Sequence, residues 1–216
     1  MMRRLMLVGG ATGLVVSAVF AAAADRPPQP KPVALFDGKT LNGWEGDRKI
    51  FRVEDGAIVG GSLGGKIVRN EFLCTTKSYA DFDLRLKVKL LGGDGANAGV
   101  QFRTTRIPNH HEVSGYQADM GTGWWGALYD ESRRNKVLQG PDQAKMKAVV
   151  KTSDWNDYRI RAEGNHIQLW LNGVQTADYT EADPKIEMGG VICPQIHGGP
   201  PSEAWYKDIT ILELTK

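Results

Sequence analysis

Cysteine and histidine are scarce in this sequence, with two cysteines and four histidines among 216 residues. Cys74 and Cys193 stand far apart and form no spacing pattern that indicates a disulfide framework. The sequence also lacks a Cys-x-x-Cys pair, a His-Glu-x-x-His segment and a phosphate-binding loop, which argues against the common redox, metalloprotease and nucleotide-binding sites. The chain is long enough to build a core without a covalent link. We therefore predict two buried free thiols, with pairing as the alternative in an oxidising compartment.

The first 24 residues have the pattern of a Sec-type signal peptide. Arg3 and Arg4 form a short basic start, the apolar run 5–20 contains no acidic residue, and four alanines follow at 21–24. A membrane anchor is the alternative, but the run is short and rich in glycine and alanine. We predict a periplasmic or secreted protein that has no stable membrane insertion after signal cleavage.

The remaining chain shows no excess of either charge. Without the two arginines of the signal segment, 25 of the 27 basic residues remain, equal to the 25 acidic residues. This balance argues against nucleic acid as a partner. Residues 25–32 form a proline-rich linker, since four of the seven residues in 26–32 are proline. We predict a single domain over residues 33–216, with no second domain and no internal repeat.

Hydrophobic residues recur with a period of two. The segments 82–90, 157–162 and 166–171 alternate apolar and polar residues, as strands do when one face is buried and the other is solvated. Asn172-Gly173 indicates a type I′ hairpin turn, in which both central residues need positive φ. The segment 205–214 is apolar in both registers, which indicates a bulge. No window has a convincing helical period, and 135–149 is interpreted as a loop. The pattern predicts an all-β antiparallel sandwich.

Three of the predicted strands each carry two polar side chains on the face that their apolar neighbours leave free. On the strand 99–103, Val100 and Phe102 mark the core face, and the same alternation applies to the strands around 117–119 and 192–197. If this free face is concave, its polar residues form the floor of one cleft. These residues are Gln101, Arg103, Gln117, Asp119, Gln195 and His197.

Several motifs follow one another in the order of a known family. They are 35–44 (LFDGKTLNGW), 53–56 (VEDG), 81–85 (DFDLR), 98–103 (AGVQFR), 115–119 (GYQAD), 155–158 (WNDY), 170–173 (WLNG) and 195–198 (QIHG). Together they resemble the 3-keto-disaccharide hydrolase domain family over residues 33–215. The resemblance implies a concanavalin A-like jelly-roll sandwich, usually exported, that cleaves 3-keto glycosides.

The polar residues of this face suit that chemistry better than conventional glycoside hydrolysis. A conventional glycosidase needs two carboxyl groups, but the segment Gln117-Ala118-Asp119 is acidic at only one of its two alternating positions. A 3-keto sugar has an acidic proton at C2, so one base and one electrophile are enough for elimination, which hydration then follows. We assign the catalytic roles to His197 or Asp119 as base and to Arg103 as electrophile. A divalent metal held by His197 and an acid is the alternative electrophile, and no cofactor is assigned.

Other polar and aromatic residues are candidates for substrate binding. Besides the cleft-floor glutamines, they are Tyr116, Trp124, Trp125, Tyr129, Arg133 and His111. Aromatic faces stack on sugar rings, and at least one of the two tryptophans is expected to form a cleft wall. Structural roles remain open: His197 as a turn residue and Asp119 as an ion-pair partner of Arg103. A non-catalytic carbohydrate-binding module on the same fold is the alternative function.

Overall fold

The computed structural model describes residues 31–214, which form sixteen strands and one short helix. The elements are, in chain order, β1 (Val33–Ala34), β2 (Trp44–Glu45), β3 (Phe51–Glu54), β4 (Ala57–Ser62), β5 (Glu71–Phe72), β6 (Cys74–Thr75), β7 (Phe82–Leu91), β8 (Asn97–Arg106), β9 (Val113–Gly121), β10 (Leu128–Glu131), β11 (Lys136–Gln139), α1 (Gln143–Met146), β12 (Asn156–Glu163), β13 (His166–Leu171), β14 (Val174–Thr180), β15 (Val191–Ile196) and β16 (Ser202–Glu213).

Fourteen of the strands form two large antiparallel sheets that pack face to face, and β2 and β6 pair with each other separately. The eight-stranded sheet has the order β14-β13-β12-β7-β16-β4-β3, with β1 paired to β16, and the six-stranded sheet has the order β11-β10-β9-β8-β15-β5. The inward residues of β7, such as Leu84 and Val88, are buried in one core with Val100 and Phe102 of β8. The predicted all-β jelly-roll sandwich is confirmed, and the helix of the described residues has only four residues.

Two local predictions about the chain path are confirmed. Asn172 and Gly173 have φ values of 49° and 82°, as a type I′ turn requires. The Asn172 side chain also accepts a hydrogen bond from the Asp157 amide and donates one to the Val149 carbonyl, both at 2.8 Å. In β16 the register with β7 shifts between Lys207 and Thr210, which is the bulge that the double apolar register indicated.

The loop predicted over 135–149 is wrong in part, because this segment contains β11 and α1. β11 lies at the edge of the six-stranded sheet and is largely exposed, so it lacks the alternation that marks a half-buried strand. α1 is a single turn, which is too short to show a helical period. Asp142 caps it by accepting a hydrogen bond from the Ala144 amide at 2.9 Å.

Two tyrosines of the eight-stranded sheet cross the core and hold the opposite sheet by its backbone. The Tyr158 hydroxyl donates a hydrogen bond to the Asp119 carbonyl at 2.9 Å. The Tyr206 hydroxyl lies 3.1 Å from the Gly99 carbonyl and 2.5 Å from the Gln195 carbonyl. Both side chains are fully buried, so these bonds are made away from water. These hydrogen bonds hold the backbones of β8, β9 and β15 from the core side of the six-stranded sheet.

The two cysteines form a disulfide, so the prediction of free thiols is wrong. Cys74 of β6 and Cys193 of β15 are bonded across 119 residues. The segment around residue 73 lies beside β15, where the Leu73 amide donates to the Pro194 carbonyl at 3.0 Å. This long-range pairing brings the cysteines together, and no local sequence pattern reports it. The disulfide lies in a small apolar cluster with Phe72 and Val113.

The predicted signal peptide, residues 1–24, and most of the linker 25–32 lie outside the described residues. Export and the domain boundaries therefore stay predictions. Within residues 31–214, no helix is long and apolar enough to cross a membrane.

Candidate active site

A cleft of about 290 Å³ lies on the outer face of the six-stranded sheet. Neighbouring strands form its floor. Gly99 of β8 pairs with Asp119 of β9, and Gln117 of β9 pairs with Tyr129 of β10. His197 follows β15 directly, and its amide donates to the Asn97 carbonyl at 3.1 Å. The lining residues are Gly95, Asn97, Gln117, Asp119, Trp124, Tyr129, Glu131, His197 and Gly198. Three of the six predicted floor residues thus line one cleft.

Beneath the cleft, two glutamines form a hydrogen-bonded chain that ends at Asp119. The Thr104 hydroxyl donates to Gln101 Oε1 at 3.0 Å, Gln101 Nε2 donates to Gln117 Oε1 at 2.7 Å, and Gln117 Nε2 donates to Asp119 Oδ1 at 2.5 Å. All four side chains are buried. A Cβ at Gly99 would lie 2.5 Å from the Gln117 side chain, so only glycine leaves room for it there. Gln101 is therefore a support for the cleft floor and not a lining residue.

The two carboxyl groups of the cleft, Asp119 and Glu131, have no cationic partner within residues 31–214. Burial raises the pKa of Asp119 to about 8, against the hydrogen bond from Gln117, and the charge of Glu131 adds to the increase. Burial likewise raises the pKa of Glu131 to about 7, and the charge of Glu112 contributes. At neutral pH Asp119 is mostly protonated, so the site holds a neutral carboxylic acid that can donate a hydrogen bond.

His197 lines the cleft with an exposed side chain. Its Nδ1 lies 2.7 Å from the Gly198 carbonyl oxygen. Because a carbonyl oxygen only accepts, the proton of the neutral ring sits on Nδ1, and Nε2 keeps its lone pair. Within residues 31–214, Nε2 has no hydrogen-bond partner. A ring nitrogen with a lone pair and no partner suits a general base. The structural role in the turn, which the sequence left open, corresponds to the contact of Nδ1 with the Gly198 carbonyl.

Trp124 and Tyr129 form the aromatic wall of the cleft. Their ring centroids lie 6.1 Å apart in an edge-to-face arrangement, and 42% of the Trp124 surface is exposed. The loop between β9 and β10 turns sharply at Gly123 and Gly126, which both have positive φ. Trp125, the next residue, lies on the other side of this loop in a separate cavity. The expectation that at least one tryptophan forms a cleft wall therefore fits Trp124 and not Trp125.

Arg103 is not in the cleft, which corrects its assignment as the electrophile. The register of β8 and β9 shifts between Phe102 and Thr105, and Arg103 has a φ of 47°. This bulge interrupts the alternation on which the prediction rested. The buried guanidinium donates to the Ala80 and Gly164 carbonyls at 2.8 and 2.7 Å. It pairs with Asp81 at 3.0 Å, so the ion pair considered with Asp119 is absent.

Tyr116 and Arg133 belong to a polar cluster away from the cleft. The Tyr116 ring stacks on Phe102 at 5.7 Å, and its hydroxyl donates to Glu181 at 2.7 Å. The Arg133 guanidinium lies 4.5 Å from the centre of the Tyr116 ring and pairs with Asp130. Alternation already indicates the position of Tyr116, because Gln117 faces outward and its neighbour must face the core.

His111 and Gln195 also do not line the cleft. His111 stacks on His110 at 4.5 Å and lies 3.6 Å from the Glu112 carboxylate, in the loop before β9. Gln195 is on the predicted face, paired with Gly99 and Phe72, but is fully buried. Neither atom of its amide finds a hydrogen-bond partner within residues 31–214. An unpaired buried amide is costly, so Gln195 marks a place where a water or ligand group is expected.

Sequence reasoning missed Glu131 and Asn97. The signal for Glu131 was present, since it lies two residues after Tyr129 and therefore on the same face of β10. The predicted lack of a second carboxyl in the cleft is therefore wrong. No group of three or more metal-ligating side chains exists in residues 31–214.

Many solved structures share this fold, and the three that follow are each 20% identical to this chain or less. A candidate glycosyl hydrolase from Parabacteroides distasonis has a TM-score of 0.64 and 20% identity, over 85% of this chain and 94% of that one. Carbohydrate-binding module CBM66 from Bacillus subtilis has a TM-score of 0.61 and 15% identity, over 79% and 95%. The Bacillus licheniformis β-glucanase has a TM-score of 0.55 and 10% identity, over 88% and 100%.

The sequence itself matches one family and no curated protein. The family model that matches residues 31–212 describes a 3-keto-alpha-glucoside-1,2-lyase-like domain. A search of curated protein sequences finds no match. The family that the motifs indicated is thereby confirmed.

Proposed function

The chain belongs to the family of 3-keto-alpha-glucoside-1,2-lyase-like domains, and from this premise we propose that it cleaves 3-keto glycosides by elimination at C1 and C2. One observation carries the proposal: a histidine whose Nε2 has no hydrogen-bond partner and two carboxyl groups that have no cationic partner, all among the described residues, line the same cleft. The site combines a base with proton donors, which this elimination needs.

The base in this proposal is His197. Its Nε2 takes the proton from C2, and the electrons of the C2–H bond form an enolate whose negative charge lies on the oxygen at C3. General-base catalysis of this kind contributes roughly 10²–10⁴-fold. The Nδ1–H group donates its hydrogen bond to the Gly198 carbonyl throughout, which holds the ring in one tautomer and supports the imidazolium that forms.

Asp119 takes the electrophile role that Arg103 cannot fill. With a pKa of about 8, its neutral carboxylic acid donates a hydrogen bond to the enolate oxygen, which is worth roughly 3–4 kcal/mol by analogy with an oxyanion hole. The C3 carbonyl then re-forms from the enolate, and the electrons of its C2=C3 bond form the C1=C2 double bond. The bond from C1 to the aglycone oxygen breaks in the same step. Glu131, with a pKa of about 7, supplies the proton to that oxygen. Water then adds across C1=C2, with its oxygen on C1 and its proton on C2.

A conventional glycosidase is the second candidate, and Glu131 is the observation that favours it. Asp119 and Glu131 line one cleft, and two carboxyl groups of different protonation state are the requirement for direct hydrolysis. The lack of a cation near them in residues 31–214 fits either mechanism. A non-catalytic carbohydrate-binding module also remains an alternative, since the Trp124 wall suits sugar binding without turnover.

Export is part of the proposal. The disulfide between Cys74 and Cys193 supports it, because structural disulfides form and persist mainly in oxidising compartments. The signal pattern of residues 1–24 supports it as well. Reporter fusion to the first 24 residues, with fractionation of cells, tests this part: a reporter that stays in the cytosol contradicts it.

The decisive experiment compares methyl 3-keto-α-glucoside with methyl α-glucoside in D₂O, with and without a chelator. We expect cleavage of the keto sugar alone, with deuterium at C2 of recovered substrate or product. Rapid cleavage of the unmodified glucoside without exchange at C2 would favour the conventional glycosidase. Binding without turnover of either sugar would favour the binding module, and loss of activity with the chelator would require a metal.

A further inference from the structure

Asn97 begins β8 and lines the cleft, but no step of the proposed elimination uses it. The residue is half-buried, and its side-chain amide has no hydrogen-bond partner within residues 31–214. Such an amide offers two N–H donors and one carbonyl acceptor. Asn97 can therefore give a hydrogen bond to a ligand in the cleft without breaking one that the described part of the chain makes.

Strand pairing puts this amide over a glycine. Asn97 of β8 pairs with Gly121 of β9, and a Cβ at Gly121 would lie 3.0 Å from Asn97 Nδ2. The amide thus lies across β9, in the space that a larger residue at position 121 would need. Gly121 follows Asp119 by two residues on the same strand, so alternation places the amide on the face that carries the Asp119 carboxyl.

On its other side, the backbone of Asn97 is joined to His197. The His197 amide donates to the Asn97 carbonyl at 3.1 Å, which continues the pairing of Ile196 with Ala98. Asn97 therefore lies between the proposed base and the strand that carries the proposed electrophile. Tyr129, another hydrogen-bond donor of the cleft, pairs with Gln117 and so lies farther along β9 from Gly121 than Asp119 does.

We infer that the Asn97 amide donates a hydrogen bond to the C3 oxygen of the keto sugar and forms, with the Asp119 carboxylic acid, a two-donor site for the enolate. This inference rests on the proposed function. The base acts at C2 and the electrophile at C3, which are adjacent carbons, and Asn97 is next to the residues that serve both. An enolate oxygen accepts more than one hydrogen bond, whereas Asp119 has a single proton to donate. A donor aimed at charge that forms during the reaction lowers the barrier more than it strengthens substrate binding.

The test measures kcat and KM of Asn97→Ala on methyl 3-keto-α-glucoside. The change removes the donor and keeps the backbone pairing of β8, so the urea midpoint should not change. We expect kcat to fall about 100-fold, as loss of one oxyanion donor does, and KM to change less than about 3-fold. Asn97→Asp keeps the shape but cannot donate when ionised, so its kcat should fall at least as far. Asn42→Ala, the same change at an exposed position outside the cleft, is the matched control and should change neither constant.

A second measurement follows the enolate itself. Exchange of the C2 proton for deuterium in D₂O should slow together with kcat in Asn97→Ala, because the donor acts when the enolate forms. If the parent protein exchanges and cleaves the keto sugar and Asn97→Ala keeps its kcat, the role of Asn97 is overturned and the proposed function stands. A rise in KM alone also overturns this role, because the amide then binds a hydroxyl group of the ground state. If the parent protein shows neither exchange nor cleavage, the proposed function fails and this role fails with it.

Discussion

The outer faces of the two sheets each hold a buried aspartate, and the pKa values of these two aspartates are shifted in opposite directions. On the eight-stranded sheet, Asp83 lies among Arg85, Arg159 and Arg161, and Arg159 donates to both of its oxygens. Burial alone would raise the pKa of Asp83, but the hydrogen bonds from Arg159 and Arg85 outweigh it and hold the pKa below its usual range. On the six-stranded sheet, Asp119 is buried without a cationic partner in residues 31–214, and its pKa is raised to about 8.

This difference separates a structural face from a chemical one. Both faces are made of antiparallel strands with polar residues at alternating positions, so strand pattern does not distinguish them. The position of cations does, since a paired carboxylate is fixed in its charged form, whereas an unpaired buried carboxyl can exchange a proton near neutral pH. The comparison predicts that mutations on the two faces have different consequences.

The largest effect is expected from Asp119→Asn. Loss of the carboxylic acid should lower kcat on a 3-keto glycoside by roughly 10²–10⁴-fold, while the fold stays intact because the amide oxygen of the new side chain can still accept the hydrogen bond from Gln117. A circular dichroism melt and single-turnover assays check this. Asp83→Asn is the matched control, with unchanged kcat. Equal activity of Asp119→Asn and the parent protein would remove Asp119 from the mechanism.

Reduction of the disulfide should produce the next largest effect. The Cys74–Cys193 bond closes a long loop and lies in a small apolar cluster. Its reduction, or the double change to alanine, should lower the free energy of unfolding by about 2–5 kcal/mol. Urea denaturation with and without a reducing agent measures this. An unchanged urea midpoint after verified reduction would contradict it.

Alternation along strands predicted most of the fold and much of the site. It placed Gln117 and Asp119 on one face. The same rule, applied to Tyr116 and Glu131, gives their observed positions in the core and in the cleft, but these two positions were not predicted. The failures share one cause, because they depend on contacts between distant residues. The bulge at Arg103 is stabilised by Asp81 and by backbone carbonyls far along the chain.

The disulfide and the different positions of the two neighbouring tryptophans could not be predicted for the same reason. Cys74 and Cys193 meet only because β6 lies beside β15 in the sandwich, and spacing in the sequence does not report this. Trp124 and Trp125 are neighbours, but Trp124 lines the cleft and Trp125 lines a separate cavity. Loop geometry depends on the surrounding packing, so no local pattern assigned each ring to its side.

Asp83→Asn should produce a moderate loss of stability without loss of activity. The change removes a charge that several arginines share, and we expect a cost of about 1–3 kcal/mol at pH 7. Because the folded-state pKa of Asp83 is lowered, its stabilisation is present above the unfolded value and is lost as pH falls through the folded value. The variant should therefore lose less stability than the parent protein as pH is lowered from 7 to below the unfolded pKa of 3.8. Parallel urea curves across this range would contradict the role.

The smallest predicted effects concern the pKa of Asp119 and have opposite signs. Gln101→Leu removes the group that holds Gln117 Oε1, so Gln117 donates less well to Asp119 and the pKa of Asp119 should rise. Glu131→Gln removes a negative charge that raises this pKa, so the pKa should fall. Each shift should be about one pKa unit or less, since one hydrogen bond is worth about 1 kcal/mol.

The ¹³C resonance of the Asp119 carboxyl, followed from about pH 5 to pH 10, measures both shifts without a substrate. Four other titratable groups line the cleft or contact the Asp119 backbone: His197 from the end of β15, Tyr129 and Glu131 from β10, and Tyr158 from β12 behind it. His197→Gln controls for the imidazole. Because the proposed mechanism needs protonated Asp119, whose pKa is about 8, the alkaline limb of kcat should move with the measured pKa in each variant. Shifts of the same sign in Gln101→Leu and Glu131→Gln would show that general disruption of the cleft, and not the hydrogen-bonded chain, sets the ionisation of Asp119.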